Sequence, residues 1–522
     1  MELYFSLLTI VAAILSVIAL HILHYRKTAE TRNNHKPPQA KGAWPVIGHL
    51  HLVGGPELPH KVLGSMAEEH GPIFTIKLGV HQALVVSNAK IAKDCLTTND
   101  KTFASRPNLE ASKIMGYNYA MFGLAPYGDF WRQVRKMVIH EVLLQRQVEM
   151  LGHIRASELR VSIRDIYDGW VKNQMTENSE MVKVEMGQWF GNLIVKIMIK
   201  IISGKRLSVN EEEGVRFQGI IRKFFELMGA FVASDFIPFL KNVDVGGYKK
   251  AMKNTARDLD NIFDRWLQEH KIERKSKRNE DFIYVLISLL QSSSQDMFPG
   301  YNRDTIIKST CQQLLVAGVD TTSVTLTWAL SLLLNNPEAL EIAYDEIDEH
   351  VGRERHVEES DLKNLVYLDA VIKETLRLYP PAPLLAPHES MEDCIVAGYN
   401  IPKGTRLLVN IWKMQRDPNI WSDPYELRPK RFLTSHKGVD MKGNHYEYLP
   451  FGSGRRMCPG VSFAVQALGL TLASLIQQFV LKKPSNETID MTESVRLTNG
   501  NATPLDVLLA PRLSSNMYLV ES

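Results

Sequence analysis

The chain has 522 residues, of which 45% are hydrophobic and 23% are charged, an ordinary composition for a globular protein. These fractions exclude a disordered, a collagen-like or a multi-span membrane protein. The 61 Lys and Arg residues nearly balance the 58 Asp and Glu residues, and the net charge of +3 gives no reason to expect nucleic-acid binding. The 4 cysteines are too widely spaced for a disulfide framework or a Cys-x-x-Cys zinc site, so we expect a reduced, cytosol-facing protein.

The N-terminal segment has the properties of a membrane anchor. Leu3 to Leu23 carry no charge, and a helix of that length spans roughly 31 Å, about the thickness of a bilayer core. Basic residues follow while only Glu2 precedes, so the positive-inside rule places the rest of the chain in the cytosol. The alternative is a cleaved signal peptide, but no basic stretch precedes the apolar run. We predict a single transmembrane anchor over residues 1–25, a basic and proline-rich hinge over 26–48, and a globular body over 49–522.

The body is predicted to be mainly α-helical with small β-sheets. A strand pair is expected at Ile73–Leu78 and Ala83–Ser87, joined through Gly79. Apolar residues recur at helical spacing in longer segments: Phe130–Leu144, Met186–Ile202, Ala251–His270, Asp304–Leu334 and Leu368–Leu378. Short strands are predicted near Thr405–Asn410 and Asp506–Ala510. The pattern indicates one large helix-rich domain rather than several.

The loop that ends at Gly460 carries the chemistry. It reads Phe451-Gly-Ser-Gly-Arg-Arg-Met-Cys458-Pro-Gly460. Glycines let the backbone turn tightly around the Cys458 sulfur, so that amide N–H groups can stabilise a thiolate, and Phe451 would shield it from water. Arg456 adds a cation, and a helix predicted from Val461 begins close to the sulfur. Such a thiolate can ligate haem iron. The alternative is a buried structural cysteine in a glycine-rich loop.

This loop resembles the cysteine signature of the cytochrome P450 superfamily, F-x-x-G-x-R-x-C-x-G. All the fixed positions match: Phe451, Gly454, Arg456, Cys458 and Gly460. The resemblance implies a cytochrome P450 fold and haem b, with Cys458 as the axial ligand and Arg456 at a haem propionate. It also implies electrons from NADPH through a separate flavoprotein, the NADPH–cytochrome P450 reductase, with molecular oxygen and a small hydrophobic molecule as substrates. Residues 49–522 would be the haem-thiolate catalytic domain of an enzyme anchored in the endoplasmic reticulum membrane.

A second motif places Glu374 and Arg377 at i and i+3 on one helix face. By itself such a spacing is equally typical of a surface ion pair. Together with Arg431 it resembles the Glu-Arg-Arg triad of the family, which is structural and does no chemistry. The family commonly has Glu where this chain has Lys430, but the arginine of the triad is kept.

The long predicted helix Asp304–Leu334 contains Ala317-Gly-Val-Asp320-Thr321-Thr in its middle, with Asp304 expected as its N-cap. Glycine weakens a helix, and a threonine hydroxyl can bond back to the i−4 carbonyl and bend it. The segment resembles the oxygen-binding groove of the family. On that resemblance Thr321 holds oxygen and its water, and Asp320 relays protons. The alternative is a kinked core helix.

Further haem contacts are implied by resemblance to the family. Trp131 and Arg135 lie at i and i+4 of a helix that resembles the W-R-x-x-R-K motif, and both would reach a propionate. His388 stands where many relatives carry a propionate-binding arginine, and a protonated His388 could replace it.

Three functional classes, two of them enzymatic, are compatible with these motifs. The first is an NADPH-dependent monooxygenase, and the second is a haem-thiolate isomerase or dehydratase that rearranges peroxides without oxygen or reductase. Relatives of the second class typically lose the acid–threonine pair, so Asp320, Thr321 and the unbroken cysteine loop favour the first. A haem-binding membrane protein without enzymatic activity is the third class, and it would leave the polar notch without a use.

Several stretches resemble the plant branch of the superfamily numbered eighty-two, whose members oxidise flavones, alkaloids, terpenoids and homoterpene precursors. Resemblance to that branch suggests a substrate pocket of largely apolar and aromatic residues: Tyr117, Tyr119, Met121, Phe224, Phe225, Met228, Phe231, Leu314, Ala317, Thr321, Leu384, Leu385, Leu497, Asn499 and Gly500. Each of these residues could instead be ordinary core packing. A flat flavone or related flavonoid hydroxylated on its ring fits this lining, and an alkaloid or a terpenoid is the alternative.

Overall fold

The computed structural model describes residues 35–519 except 178, 207–211, 274–280, 293–297, 299 and 495–496. The predicted anchor over residues 1–25 lies outside the described residues, as does the start of the hinge. The described α-helices are α1 (Leu50–Val53), α2 (Pro59–His70), α3 (Ala89–Leu96), α4 (Glu110–Ile114), α5 (Asp129–Val138), α6 (Gln145–Met150), α7 (Gly152–Glu177), α8 (Met186–Ser203), α9 (Glu212–Met228), α10 (Tyr248–Glu273), α11 (Phe282–Ser292), α12 (Arg303–Asn335), α13 (Pro337–His350), α14 (Val366–Leu378), α15 (Ile411–Met414) and α16 (Val461–Gln478).

The strands form small sheets at the edge of this helical body. They are β1 (Ile73–Leu78), β2 (His81–Val86), β3 (Val182–Glu185), β4 (His388–Glu389), β5 (Cys394–Val396), β6 (Tyr399–Ile401), β7 (Arg406–Val409), β8 (Phe479–Lys482) and β9 (Asp506–Pro511). The sheet orders are β1-β2-β7-β4, β3-β9-β8 and β5-β6. Strand β2 pairs antiparallel to β1, with Leu78 opposite His81, and parallel to β7.

The turn between β1 and β2 requires its glycine. Gly79 has φ +60°, and a Cβ atom at this position would lie 2.0 Å from the carbonyl oxygen of Phe236. The backbone N–H of Val80 donates to that same carbonyl at 3.0 Å. A residue with a side chain could not approach so closely, so glycine lets the turn dock on the segment that follows α9.

Helix α12 runs through the centre of the protein. Asn302 caps it, because its side chain accepts a hydrogen bond from the N–H of Thr305 at 2.7 Å. The predicted cap, Asp304, lies instead in the first turn, where it pairs with Lys271 at 2.7 Å. The helix ends at Asn335, two residues before Pro337, and packs against α8, α10, α14 and α16. Both α12 and α16 are long and apolar enough to cross a membrane, but each is mostly buried within the protein.

Most of the predicted elements are present with small shifts at their ends. Helix α8 extends one residue beyond the predicted Met186–Ile202, and α14 begins two residues before the predicted Leu368. The segment predicted as one helix, Phe130–Leu144, divides into α5 and a π-helical turn at Ile139–Leu143.

Candidate functional site

The predicted cysteine loop connects a 3-10 turn, Gly454–Arg456, to α16. The N–H of Cys458 donates to the carbonyl oxygen of Phe451 at 2.9 Å, which closes the loop. Gly454 has φ +68°, and a Cβ atom there would lie 2.5 Å from the Asp100 carboxylate. Glycine is required at this position, because a Cβ atom would also lie 2.7 Å from the backbone carbonyl oxygen of Leu96 and φ is positive.

The Cys458 thiol faces a space inside the protein. Its side chain is open to solvent-sized space, yet the surrounding protein desolvates it and raises the pKa of the thiol. The N–H of Gly460 and the guanidinium of Arg135 act in the opposite direction and lower that pKa. An open sulfur with an N–H donor and a cation beside it is the environment in which a bound metal ion converts a thiol to a thiolate.

Three arginines surround this space without a counterion. Burial and the repulsion of Arg135 lower the pKa of Arg106 to about 10. Burial, followed by repulsion from Arg106 and Arg135, lowers the pKa of Arg456 to about 8. Within the described part of the chain, no carboxylate pairs with any of the three. Such a cluster fits a ligand with two negative groups, because a dianion would replace the solvation lost by burial.

The Trp131 ring holds two of these cations in position. The guanidinium carbon of Arg456 lies 4.3 Å from the ring centroid and that of Arg135 lies 5.6 Å from it. Arg456 also donates to the carbonyl oxygens of Ala104 and Ala125, each at 2.6 Å. Helix α5, the segment before α4 and the cysteine loop therefore meet at one set of side chains.

The middle of α12 presents a polar notch. Ala317 is exposed although most of the helix is buried, so this turn lines an internal space. The hydroxyl of Thr321 donates to the carbonyl oxygen of Ala317 at 2.7 Å. The carboxylate of Asp320 accepts a hydrogen bond from the hydroxyl of Thr498, a residue of the C-terminal segment. The notch thus contains a hydroxyl and a carboxylate on adjacent residues.

Comparison with known proteins identifies this arrangement. The family model of cytochrome P450 matches residues 37–504. The chain is 47% identical to the flavonoid-6-hydroxylase of Mentha piperita, over 97% of this chain and 98% of that protein. It is 48% identical to the strychnine-10-hydroxylase of Strychnos nux-vomica, over 98% and 100%, and 47% identical to the xanthotoxin 5-hydroxylase CYP82C4 of Arabidopsis thaliana, over 93% and 94%. A zebra fish cytochrome P450 structure with progesterone superposes with a TM-score of 0.73 at 25% identity, over 87% of this chain and 100% of that one.

The chain belongs to the cytochrome P450 family. Relatives from branch eighty-two support the narrower resemblance read from the sequence, and the protein is a monooxygenase of the oxidoreductase class. The cofactor of this cytochrome P450 is a haem with a thiolate ligand. The residues present fit that group: Cys458 offers an open sulfur, and the three uncompensated arginines suit the two propionates.

The Glu374, Arg377 and Arg431 side chains of this cytochrome P450 form one buried ion network. Arg377 donates to both carboxylate oxygens of Glu374, at 2.8 and 2.9 Å, and Arg431 donates to one of them at 3.0 Å. Arg377 also donates to the carbonyl oxygen of Gln415 at 2.8 Å. The Gln415 side chain in turn accepts from the N–H of Leu449 at 3.0 Å, two residues before the cysteine loop. The network is therefore linked through Gln415 to the segment that leads into the cysteine loop.

The surroundings of His388 favour its neutral form. It is buried, and its Nδ1 donates to the carbonyl oxygen of Phe103 at 2.7 Å. Burial first, and then the positive charges of Arg106 and Arg456, lower the pKa of its imidazole to about 3. A neutral ring that donates through Nδ1 offers only an acceptor at Nε2, which cannot bind a carboxylate. A protonated His388 at a haem propionate stays a prediction, and Arg106 is a second cation beside it.

The predicted pocket residues before α5 lie in a strained turn. Tyr117, Asn118 and Tyr119 all have positive φ, between +52° and +70°. The ring of Tyr117 lies 6.0 Å from the Nζ of Lys308, and burial followed by the nearby Asp260 carboxylate raises the pKa of its hydroxyl. Tyr117 therefore contacts α10 and the start of α12, more than two turns before Ala317.

The other predicted pocket residues differ in their exposure. Phe231 is half-exposed and stacks on Phe236, with ring centroids 4.9 Å apart. The side-chain amide of Asn499 donates to Glu493 at 2.7 Å, so it is engaged within its own segment. The remaining members are buried, half-buried or open to space as follows: Met121, Phe224, Leu314 and Gly500 are buried; Tyr119, Phe225, Met228, Leu384 and Leu385 are half-buried; Ala317 and Leu497 are exposed.

Two functional candidates carry little signal in the sequence. Arg106 is a single cation in the mixed segment Phe103–Leu109, which matches no motif used in the sequence analysis. It donates to the carbonyl oxygens of Ala386 and Pro387 at 2.6 and 2.8 Å, a contact across almost 300 residues. Thr498 is an ordinary hydroxyl in a polar segment, and only the fold brings it to Asp320.

Proposed function

We propose that this cytochrome P450 hydroxylates a ring carbon of a plant specialised metabolite, a flavone or related flavonoid, with electrons from NADPH delivered by a separate flavoprotein reductase. The reaction consumes the substrate, one dioxygen, one NADPH and one proton. One oxygen atom is inserted into a C–H bond to give the alcohol, and the other leaves as water while NADPH becomes NADP⁺. The observation that carries the proposal is the pairing of Thr321 and Asp320 in the notch of α12.

The haem, when bound, supplies the iron at which dioxygen is reduced by two electrons, and the thiolate favours cleavage of the O–O bond. The side chains and backbone of the protein stabilise the thiolate and deliver protons. The N–H of Gly460 and Arg135 stabilise the charge on the Cys458 sulfur. The hydroxyl of Thr321, which donates to Ala317 at rest, can turn its proton toward the internal space, and Asp320 can replace that proton from water.

The flavonoid assignment is supported by the pocket candidates and by two relatives. The candidate residues are aromatic or apolar, and none carries a carboxylate that would pair with an amine. Relatives from Mentha piperita and Ocimum basilicum, 47% and 45% identical, are named flavonoid-6-hydroxylases. A flat ring system lies well against such surfaces, because aromatic side chains bind it through their faces and edges.

An alkaloid substrate is the second candidate, and the strychnine-10-hydroxylase at 48% identity favours it. A terpenoid hydroxylated by the same chemistry is a further alternative, because members of branch eighty-two also oxidise terpenoids. A peroxide isomerase would need neither reductase nor dioxygen, and it would have no use for a hydroxyl and a carboxylate held on adjacent residues.

The location of the enzyme is proposed from the sequence. We propose that residues 1–25 anchor the chain in the endoplasmic reticulum membrane and that residues 49–522 face the cytosol as one catalytic domain, where the reductase is reached. The bias of positive charge after the apolar segment supports this orientation.

The test uses the full chain in microsomes that contain NADPH–cytochrome P450 reductase. A flavone panel and an alkaloid panel are incubated with and without NADPH, and products are identified by mass spectrometry. We expect a product that is 16 mass units heavier, formed from a flavone only when NADPH and oxygen are both present. If only an alkaloid is converted, the flavonoid assignment is wrong and an alkaloid is the substrate. NADPH-independent conversion of a hydroperoxide would show that the enzyme is an isomerase or dehydratase rather than a monooxygenase.

A further inference from the structure

The carboxylate of Asp320 is held by a residue from the far end of the chain. The hydroxyl of Thr498 donates its proton to Oδ2 of Asp320, and Thr498 is only 8% exposed. A threonine hydroxyl can donate a single hydrogen bond, and Thr498 donates it to the Asp320 carboxylate. This hydrogen bond restricts the rotation of the Asp320 side chain.

The segment that carries Thr498 is tied to α12 at a second point. The carbonyl oxygen of Asn499 accepts a hydrogen bond from the indole N–H of Trp328 at 2.6 Å. Trp328 lies eight residues after Asp320, about 12 Å farther along the helix. The N–H of Asn499 also donates to the carbonyl oxygen of Pro381 at 2.9 Å. The segment is therefore fixed along the helix axis and cannot slide away from Asp320 without breaking these bonds.

A buried carboxylate fixes the same segment from the other side. Glu493 accepts from the side-chain amide of Asn499 at 2.7 Å, pairs with Lys61 and lies 3.3 Å from the Nε2 of His60. Burial alone would raise its pKa, but hydrogen bonds from His60, Lys61 and Asn499 lower the pKa of Glu493 to about 2. Because Glu493 stays ionised, helix α2 holds the C-terminal segment in place, and that segment holds Asp320.

We propose that Thr498 is a positioning residue for proton delivery: its hydroxyl holds the Asp320 carboxylate in the orientation from which it supplies protons to Thr321. This inference rests on the proposed roles of Asp320 and Thr321. Without the hydroxyl, the carboxylate loses this hydrogen bond and spends less time in the productive orientation. Reduced oxygen then leaves more often as hydrogen peroxide, while substrate binding through apolar contacts is unchanged.

The experiment compares Thr498→Val and Thr498→Ser in the full chain with reductase, NADPH and the substrate found above. We expect Thr498→Val to lower the ratio of product formed to NADPH consumed by about tenfold or more, from the strength of a charged hydrogen bond. Thr498→Ser keeps the hydroxyl and should restore the ratio. The substrate dissociation constant, measured by the substrate-induced spectral shift, should stay within about twofold of the wild-type value in both variants.

Ser494→Ala is the matched control. Ser494 lies in the same segment and its hydroxyl donates to the carbonyl oxygen of Gly500 at 3.0 Å, not to Asp320. Its removal tests whether any loss of a hydrogen bond in the segment uncouples the enzyme, and we expect a ratio close to that of the wild type. An equal loss in Ser494→Ala and Thr498→Val would overturn the positioning role in favour of simple support of the loop.

Asp320→Asn separates this inference from the proposed function. If Thr498 acts through Asp320, then Thr498→Val added to Asp320→Asn should lower the ratio no further, a coupling that the double-mutant cycle measures directly. A loss in Asp320→Asn with no loss in Thr498→Val refutes the positioning role and leaves the proton relay intact. No loss in either variant refutes the relay itself.

Discussion

Cys458 differs from the other cysteines in its surroundings. Cys95 and Cys311 are buried, and burial raises the pKa of each thiol far above its usual range. Cys394 is half-buried on β5, and burial with three nearby acids raises the pKa of its thiol to about 11. Only Cys458, among these four, combines an open sulfur with an N–H donor and a cation. The neighbours of Cys458, rather than its residue type, support the prediction that it is the haem ligand.

Replacing Cys458 by Ser should abolish the red-shifted absorption band of the reduced carbon-monoxide complex, because a hydroxyl does not provide the thiolate on which that band depends. Cys394→Ser is the control, and we expect its band at wild-type height per mole of haem. The measurement is a reduced carbon-monoxide difference spectrum of the purified protein. A wild-type band in Cys458→Ser would disprove the assignment.

Thr321 belongs to a series of hydroxyls that bond back along α12. Ser323, Thr325 and Thr327 donate to the carbonyl oxygens four residues earlier at 2.8 Å, just as Thr321 does at 2.7 Å. The three are buried, whereas Thr321 is half-buried beside the exposed Ala317. Position, rather than local geometry, distinguishes the proposed proton donor from its structural neighbours.

Thr321→Ala should keep the substrate-induced spectral shift but divert electrons to hydrogen peroxide. A positioned proton donor typically contributes about 10²–10⁴-fold to a rate, so we expect product per NADPH to fall by about tenfold or more. Thr325→Ala removes the same kind of hydrogen bond one turn later and should leave the ratio near that of the wild type. If both variants behave alike, the Thr321 hydroxyl serves only the packing of the helix.

At the level of secondary structure, one long helix that the sequence analysis missed has charged side chains on its inner face. Helix α7 escaped prediction because Arg155 and Glu158 are buried on it, at 1% and 4% exposure. They pair with Glu359 at 2.6 Å and with Arg206 at 3.0 Å, respectively. These ion pairs interrupt the apolar period on which a helix prediction depends.

Pairings between distant segments could not be predicted from the sequence either. Strand β3 pairs with β9, so that Val182 lies opposite Leu509 across more than 300 residues, and nothing local specifies that partner. The residues of the candidate site show the same difference between local and long-range information. Residues with fixed spacings, such as Phe451 to Gly460, were predicted from the chain alone, whereas Arg106 and Thr498 gain a role only from contacts that tertiary folding creates.

The buried Glu374 network gives a prediction about stability. Glu374, Arg377 and Arg431 are 0%, 0% and 5% exposed, so Glu374→Gln would leave two buried guanidiniums without their carboxylate. Breaking a buried ion pair in this way costs about 3–5 kcal/mol, and we expect little or no haem-loaded protein. Lys430→Glu, an exposed change next to Arg431, should alter the free energy of unfolding by no more than about 0.5 kcal/mol. Yield of haem-loaded protein and thermal melting measure both effects.

For the whole molecule, orientation in the membrane is testable through glycosylation. Two acceptor sequences exist, at Asn486 and Asn501. Asn501 is half-buried and its amide donates to the Ser331 hydroxyl at 3.3 Å, so it would be a poor acceptor on either side of the membrane. Asn486 is exposed and is the informative site.

With the body in the cytosol, Asn486 should carry no glycan, because oligosaccharide transfer takes place in the lumen. Endoglycosidase treatment of the microsomal protein should therefore leave its electrophoretic mobility unchanged. Fusing a cleavable signal peptide to residues 35–522 provides the positive control, since a translocated body should be modified at Asn486. A mobility shift in the natural chain would reverse the proposed topology.

The cluster of Arg106, Arg135 and Arg456 has a consequence for biosynthesis. During translation Arg106 and Arg135 leave the ribosome 350 and 321 residues before Arg456, and Cys458 follows two residues after Arg456. Once all three are present, their mutual repulsion opposes closure of the segments that carry them. A dianionic cofactor would offset that repulsion, so we expect haem binding to stabilise the closed arrangement of these segments. Protein made without haem should then be cleaved more readily by proteases in the same segments.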